Sequence, residues 1–214
     1  MRLTTPRHSA STRRRARTMP RWMRRIDRAA NRRINASRSW HAHDRGYSGL
    51  SRAADQGVLW YAIAALLFVL GRRRAALRGI GSMIIAGVVS DVIVKSLFDG
   101  RRPPFSEVPV ARRLRAYPTT PSFPSGHSAS AAGFATGVAL ESGVAGLVVA
   151  PLAAAVAYSR MHVGAHWLSD VIGGVGVGVG VAVLGRLIAS AAGFVRGLVA
   201  DRRAHPSPVQ VDRD

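Results

Sequence analysis

Five apolar runs, at roughly 53–70, 77–98, 128–140, 144–158 and 168–188, occupy most of the middle of this 214-residue chain. A helix needs about 20 mainly apolar residues to cross a bilayer core, so the second and fifth runs qualify alone. The others are shorter and need flanking polar residues that face the protein interior or the interface. Five such runs so closely spaced do not fit a soluble globule of this size. The expectation is an all-α, multi-pass transmembrane helical bundle of about five spans. The fifth run contains "GGVGVGVGV", which alternates like a strand. In a membrane helix the same glycines are packing positions: Gly174 and Gly178, like Gly176 and Gly180, lie four apart and let another backbone approach.

Charge is segregated from these runs. The chain carries a formal net charge of +20, and up to Arg52 it holds 15 Arg against only Asp27 and Asp44. Three segments follow: an Arg-rich tail over 1–52, a membrane domain over 53–190 and a polar C-terminal tail over 191–214. Residues 1–18 lack the apolar core of a signal peptide and are expected to be disordered. An amphipathic helix is expected near 21–36. Its Trp22, Met23, Ile26, Ala30 and Ile34 share a face ringed by arginines, which suits an anionic membrane surface. The same basic stretch would suit nucleic acid, but it adjoins a membrane bundle and contains no nucleic-acid module, so no such partner is expected. With no cysteine, thiol nucleophiles and thiolate metal sites are excluded.

The polar residues at the ends of the runs are not scattered. "KSLFDGRRP" closes the second run, "PSGH" opens the third and "SRMHVGAHWLSD" joins the fourth to the fifth. If the runs are antiparallel neighbours, Lys95, Arg102, His127, Arg160, His166 and Asp170 meet at one membrane face. Arginine offers forked donors that match phosphate oxygens, and Lys95, the only lysine in the chain, adds a compact charge. His166 and Asp170 are four apart, so on one helix face the carboxylate would orient one imidazole nitrogen while the other attacks. His127 would protonate the leaving oxygen and later activate water. Ser125 and Gly126 start a helix whose N–H groups point at the anion. His162 reads as a bystander, and Asp91, one turn before Lys95, as its ion-pair partner.

In their order and internal spacing, K-x6-R-P, P-S-G-H and S-R-x5-H-x3-D resemble the three-part signature of the type 2 phosphatidic acid phosphatase superfamily, with every position filled between about 53 and 188. The resemblance implies a phosphatidic acid phosphatase type 2/haloperoxidase-like helical fold. It implies phosphate binding by Lys95, Arg102 and Arg160, assisted by Ser125 and Gly126, with His127 as general acid, His166 as nucleophile and Asp170 as its partner. Pro103, Pro124 and Ser159 would be structural members of the signature, and no metal or cofactor is implied. The activity implied is a membrane lipid phosphatase, with a polyprenyl diphosphate favoured and phosphatidic acid or phosphorylated polyprenyl-ribose as alternatives.

Two readings from other classes compete. A similar pocket binds vanadate in haloperoxidase relatives of that superfamily, but those are larger soluble proteins. A non-enzymatic anchor for the Arg-rich tail would not need all three motifs intact. The loop 99–123, with Arg112, Arg113, Arg115 and Tyr117, is expected to border the lipid headgroup. Orientation in the cell membrane divides the charges: the Arg-rich tail places the site inward, whereas the loop "GRRRAALR" places it outward, as the resemblance also implies.

Overall fold

A computed structural model describes residues 19–36, 42–98, 100–114 and 118–204. The tail 1–18, Asp99, Arg115, Tyr117 and the C-terminal stretch with Pro206 and Pro208 lie outside the described residues. Among the described residues all regular structure is helical: α1 (Arg21–Asn35), α2 (Ala42–Ala53), α3 (Val58–Val69), α4 (Arg73–Val88), α5 (Gly126–Ala139), α6 (Gly143–His162) and α7 (Leu168–Ala204). A π-helical turn (Val89–Val94) and a 3-10 turn (Lys95–Leu97) extend α4.

Three of these helices are long and apolar enough to cross a membrane: Arg73–Leu97, Gly143–His162 and Leu168–Asp201. The first run makes a fourth only as a pair, His43–Ala53 and Asp55–Val69, bent by 67°. The bend sits where Gln56 (φ 54°) and Gly57 (φ 79°) take left-handed backbone. The third run is as short as the sequence indicates. At 14 residues α5 is about 21 Å long by the usual rise per residue, short of a bilayer core of about 30 Å.

Instead α5 is the centre of the bundle, packed against α4, α6 and α7. Its sequence, GHSASAAGFATGVA, is built of small residues, and ten of its positions are buried. Its one large aromatic, Phe134, meets Trp60 of α3 at 5.1 Å between ring centroids. The glycine stripe of α7 divides as only one of the two expected pairs works. A Cβ on Gly174 would come within 2.4 Å of the Ser125 carbonyl oxygen and one on Gly178 within 2.3 Å of that of Ala129, whereas Gly176 and Gly180 meet nothing within 4 Å. Gly174 and Gly178 seat α7 directly on the backbone of α5.

The expected boundaries at 52 and 190 do not coincide with breaks in the structure. α2 runs through 52 to Ala53 and packs on α6, and α7 continues past 190 to Ala204 because "SAAGFVRGLVA" keeps an apolar, helix-forming composition. A helix, α1, stands where one was expected near 21–36. Its outward face carries Trp22 and Ile26, 61% and 50% exposed, among arginines. Its inward face is polar, with Asp27, Asn31 and Asn35 buried at successive turns.

Candidate active site

The α6–α7 turn carries His166. Gly164 holds φ 70°, and a Cβ there would strike Val108, so the turn is open to glycine alone. The backbone N–H groups of Ala165 and His166 both return to the Arg160 carbonyl, which folds the turn tightly onto the end of α6. His166 is therefore on the turn, not on α7, correcting the expectation that it shares a helical face with Asp170. The pair still meets: His166 Nδ1 lies 3.6 Å from Asp170 Oδ2. The nearer partner of Nδ1 is the Ser122 carbonyl oxygen at 2.9 Å.

Asp170 is occupied in three directions. Its Oδ2 accepts the Trp167 N–H at 2.8 Å, the backbone-directed half of a capping box for α7. The same oxygen accepts the Ser122 hydroxyl in a short hydrogen bond, and the Asp170 carbonyl accepts the Ser125 N–H at 2.9 Å. Ser122, Ser125 and Asp170 thus bind the "PSGH" segment to the start of α7.

On the other side of the imidazole, Arg102 Nη1 stands 3.3 Å from His166 Nε2 and donates to the Ala165 carbonyl at 2.8 Å. The guanidinium is fixed further by Thr120, whose carbonyl and hydroxyl oxygens accept at 3.1 Å each. With Nδ1–H donated to Ser122, Nε2 carries the lone pair. Burial, opposed in part by Asp170 and reinforced by the charges of Arg102 and Arg160, pushes the His166 imidazole down to about 4. At neutral pH it is uncharged.

His127 opens α5 and its Nε2 lies 2.8 Å from Asp55 Oδ1. Asp55 is also 3.9 Å from Arg160 Nη1, which makes a short hydrogen bond with the Ser51 hydroxyl. Arg160 is 4% exposed, and among the described residues its Nε has no hydrogen-bond partner. Arg160 is the hinge of the site, since its charge acts on His127, His166 and Asp55 alike.

Lys95 bridges to Asp91 at 2.7 Å, as expected one turn apart. Asp91 in turn lies against Gly126, where a Cβ would come within 2.6 Å of its Oδ1. Lys95 therefore belongs to the His127 side of the pocket. Ser125 caps α5, its buried hydroxyl accepting from the Ser128 hydroxyl at 3.0 Å. Beside His127 a cavity of about 310 Å³ opens between α3, α4 and α5, lined by Tyr61, Met83, Ile84, Val88 and Ser130 among others.

One expectation for the loop needs correction. Arg112, expected to border a headgroup, is 3% exposed: its Nε lies 3.0 Å from Asp44 Oδ1 and its Nη1 donates to the Ile34 carbonyl. Arg113 is turned back onto the Val108 carbonyl at 2.9 Å. His162 lies 3.0 Å from the same Asp44 oxygen, in a buried ion cluster apart from the His166 turn. Sequence reasoning missed Asp55, Ser122, Ser51 and Thr120. Only Asp55 carried a signal, as a carboxylate at the head of an apolar run.

Comparison with known proteins bears on the family and the fold. An undecaprenyl-diphosphatase of Sulfolobus acidocaldarius is 34% identical over 121 residues, which are 54% of this chain and 56% of that relative, so the match spans little more than half of its length. A transmembrane PAP2-type phosphatidylglycerolphosphate phosphatase from Bacillus subtilis superposes with a TM-score of 0.62 at 18% identity, over 80% of this chain and 88% of that one. Aquifex aeolicus LpxE superposes with a TM-score of 0.54 at 22% identity, over 73% and 92%. The family model of the PAP2 superfamily matches residues 75–193, more than half of the chain and all three motifs, and the chain belongs to that superfamily.

Proposed function

We propose that the protein is an integral-membrane lipid phosphatase that hydrolyses a lipid diphosphate or phosphate ester through a phosphohistidine on His166, with a polyprenyl diphosphate as substrate. The observation that carries this reading is the His166 imidazole, held at Nδ1 by the Ser122 carbonyl and presenting Nε2 3.3 Å from the Arg102 guanidinium. A neutral nucleophile beside a fixed cation is what attack on a phosphate needs.

In the first step the Nε2 lone pair attacks phosphorus. The P–N bond forms as the bond to the leaving oxygen breaks, and that oxygen departs with the electron pair and takes a proton from His127. In the second step His127 removes a proton from water, whose oxygen attacks phosphorus. The P–N bond breaks, its electrons return to Nε2, and phosphate is released. Asp170 and Ser122 stabilise the imidazolium character that develops on His166. Arg102, Arg160 and Lys95, with the backbone N–H groups that follow Ser125 and Gly126, bind the phosphate oxygens.

The apolar walls of the cavity beside His127 suit a lipid chain, and the likeness to an undecaprenyl-diphosphatase favours a polyprenyl diphosphate. Placement in the cell membrane with the site outward is supported by one loop, Arg72, Arg73 and Arg74, which stands at the opposite end of α4 from Lys95 and favours the cytoplasm, against the arginines of α1 on the site's own face. Phosphate release from a panel of purified lipid phosphates tests the proposal. Fastest release from a polyprenyl diphosphate supports it, preference for phosphatidate or phosphorylated polyprenyl-ribose transfers it to that lipid, and no release from any of them contradicts it.

A further inference from the structure

The inward face of α1 makes a contact at the edge of the site that the motifs do not include. Asp27 is 5% exposed and reaches the first turn of α7 with both oxygens. Oδ1 accepts the Ser169 N–H at 2.8 Å, and Oδ2 accepts the Ser169 hydroxyl at 2.8 Å. The N–H of Ser169, second residue of α7, is one of the donors a helix start leaves unpaired, and a carboxylate is the favoured partner there. This one comes from a helix 142 residues earlier in the chain.

Its neighbours on both sides serve the nucleophile. Trp167 donates its N–H to Asp170, and Asp170 lies beside His166 Nδ1. The α7 start is therefore clamped twice, by Asp170 from within and by Asp27 from α1. The clamp is itself anchored. Asn31, one turn after Asp27, donates to Glu107 at 2.7 Å, and Arg112 donates to the Ile34 carbonyl near the end of α1 at 3.0 Å. Burial pushes the Asp27 carboxyl up, the two Ser169 hydrogen bonds draw it back, and the Asp170 charge raises it again. A carboxylate kept in that setting is costly unless its two bonds matter.

We propose that Asp27 is a positioning residue for the reaction: it holds the first turn of α7 so that Asp170 stays in reach of His166 Nδ1. The proposal rests on the phosphatase reading above. The alternative is that Asp27 merely fastens α1 to the bundle, which would affect assembly and not turnover.

Asp27→Ala, Asp27→Asn, Ser169→Ala and the double variant Asp27→Ala/Ser169→Ala, each as the full chain in detergent, decide between them on a polyprenyl diphosphate. Asp27→Ala should lower kcat about tenfold or more while KM stays within about twofold, because displacement of a catalytic group is felt in the chemical step. Asp27→Asn, which keeps one acceptor, should fall between Asp27→Ala and the wild type. The double variant should lose no more than Asp27→Ala alone, the signature of a direct contact. Hydrogen exchange at the Ser169 amide should quicken in step with the loss of kcat. An unchanged kcat in folded Asp27→Ala, or a loss confined to KM, overturns the proposal. If Asp27→Ala does not assemble, Asp27→Asn and Ser169→Ala are judged by the same criterion. A wild type that releases no phosphate from any lipid contradicts the phosphatase reading instead. Exchange at Ser169 in Asp27→Asn then decides alone, and an unchanged rate overturns the contact's role.

Discussion

His127 Nε2 and Asp55 Oδ1 stand 2.8 Å apart, joining the first turn of α5 to the bend before α3. A carboxylate at this distance sets which nitrogen of the imidazole carries the proton and where it points. His127 is thus oriented from the bend, while His166 is oriented from Ser122 and Asp170.

Asp55→Asn should therefore reduce kcat about tenfold on a lipid diphosphate, part of the roughly 10²–10⁴-fold that a general acid supplies. With a p-nitrophenyl phosphate leaving group, which needs no proton, Asp55→Asn and His127→Ala should both recover phosphoenzyme formation toward the wild-type rate. The burst rate of phosphoenzyme formation on the two substrates checks this, since kcat also contains the hydrolysis step that His127 serves. An equal loss on both would mean that His127 is not the acid.

Phosphoenzyme formation should keep its rate down to acidic pH and fall only near pH 4. The imidazole of His166 ordinarily titrates near 6.5, and burial, the largest cause, pushes it down to about 4. Between these values the unfolded chain binds a proton that the native site refuses, so stability declines as pH falls through 6.5 and levels off below 4, by about 3 kcal/mol in all. Rapid-quench measurement of the burst across pH, in His127→Ala with the p-nitrophenyl substrate, isolates this group. An acid limb near 6.5 would contradict the geometry.

Packing between α5 and α7 predicts opposite outcomes at two glycines of the same helix. Gly174→Ala would drive a methyl to within 2.4 Å of the Ser125 carbonyl, while Gly176→Ala meets nothing within 4 Å. The first should cost about 1–3 kcal/mol through overpacking and lower kcat by displacing the "PSGH" segment. The second should be neutral or stabilising by about 0.5–1 kcal/mol, since alanine is the better helix former. Thermal midpoints in detergent separate the two, and a comparable loss at both positions would refute this account of the glycine stripe.

Much of this site was readable in advance because its chemistry lies in side chains whose spacing the chain itself records. Arg102, His127, Arg160, His166 and Asp170 end or open apolar runs, and antiparallel neighbours must bring those ends together. What was not readable depends on backbone and on distant partners. The Ser122 carbonyl that holds His166 Nδ1 has no signature in residue type, and the left-handed Gly164 removes His166 from the helix that simple spacing suggested. Asp27, Asn31 and Asn35 resemble a solvated face until the start of α7 and Glu107 come to meet two of them. The place of α5 was hidden for a related reason: a short helix of small residues reads as a marginal span, and only its neighbours reveal it as the enclosed centre of the bundle.

Covalent trapping on His166 tests the central claim most directly. Wild-type protein mixed with a ³²P-labelled polyprenyl diphosphate and quenched within one turnover should carry acid-labile, base-stable label that maps to the peptide containing His166. His166→Ala should carry none from any substrate, and His127→Ala, which lacks the acid for the lipid leaving group, should accumulate label when ³²P-labelled p-nitrophenyl phosphate replaces the lipid, because it then forms the intermediate and hydrolyses it slowly. Equal label in wild type and His166→Ala, or label mapped to another residue, would contradict the mechanism.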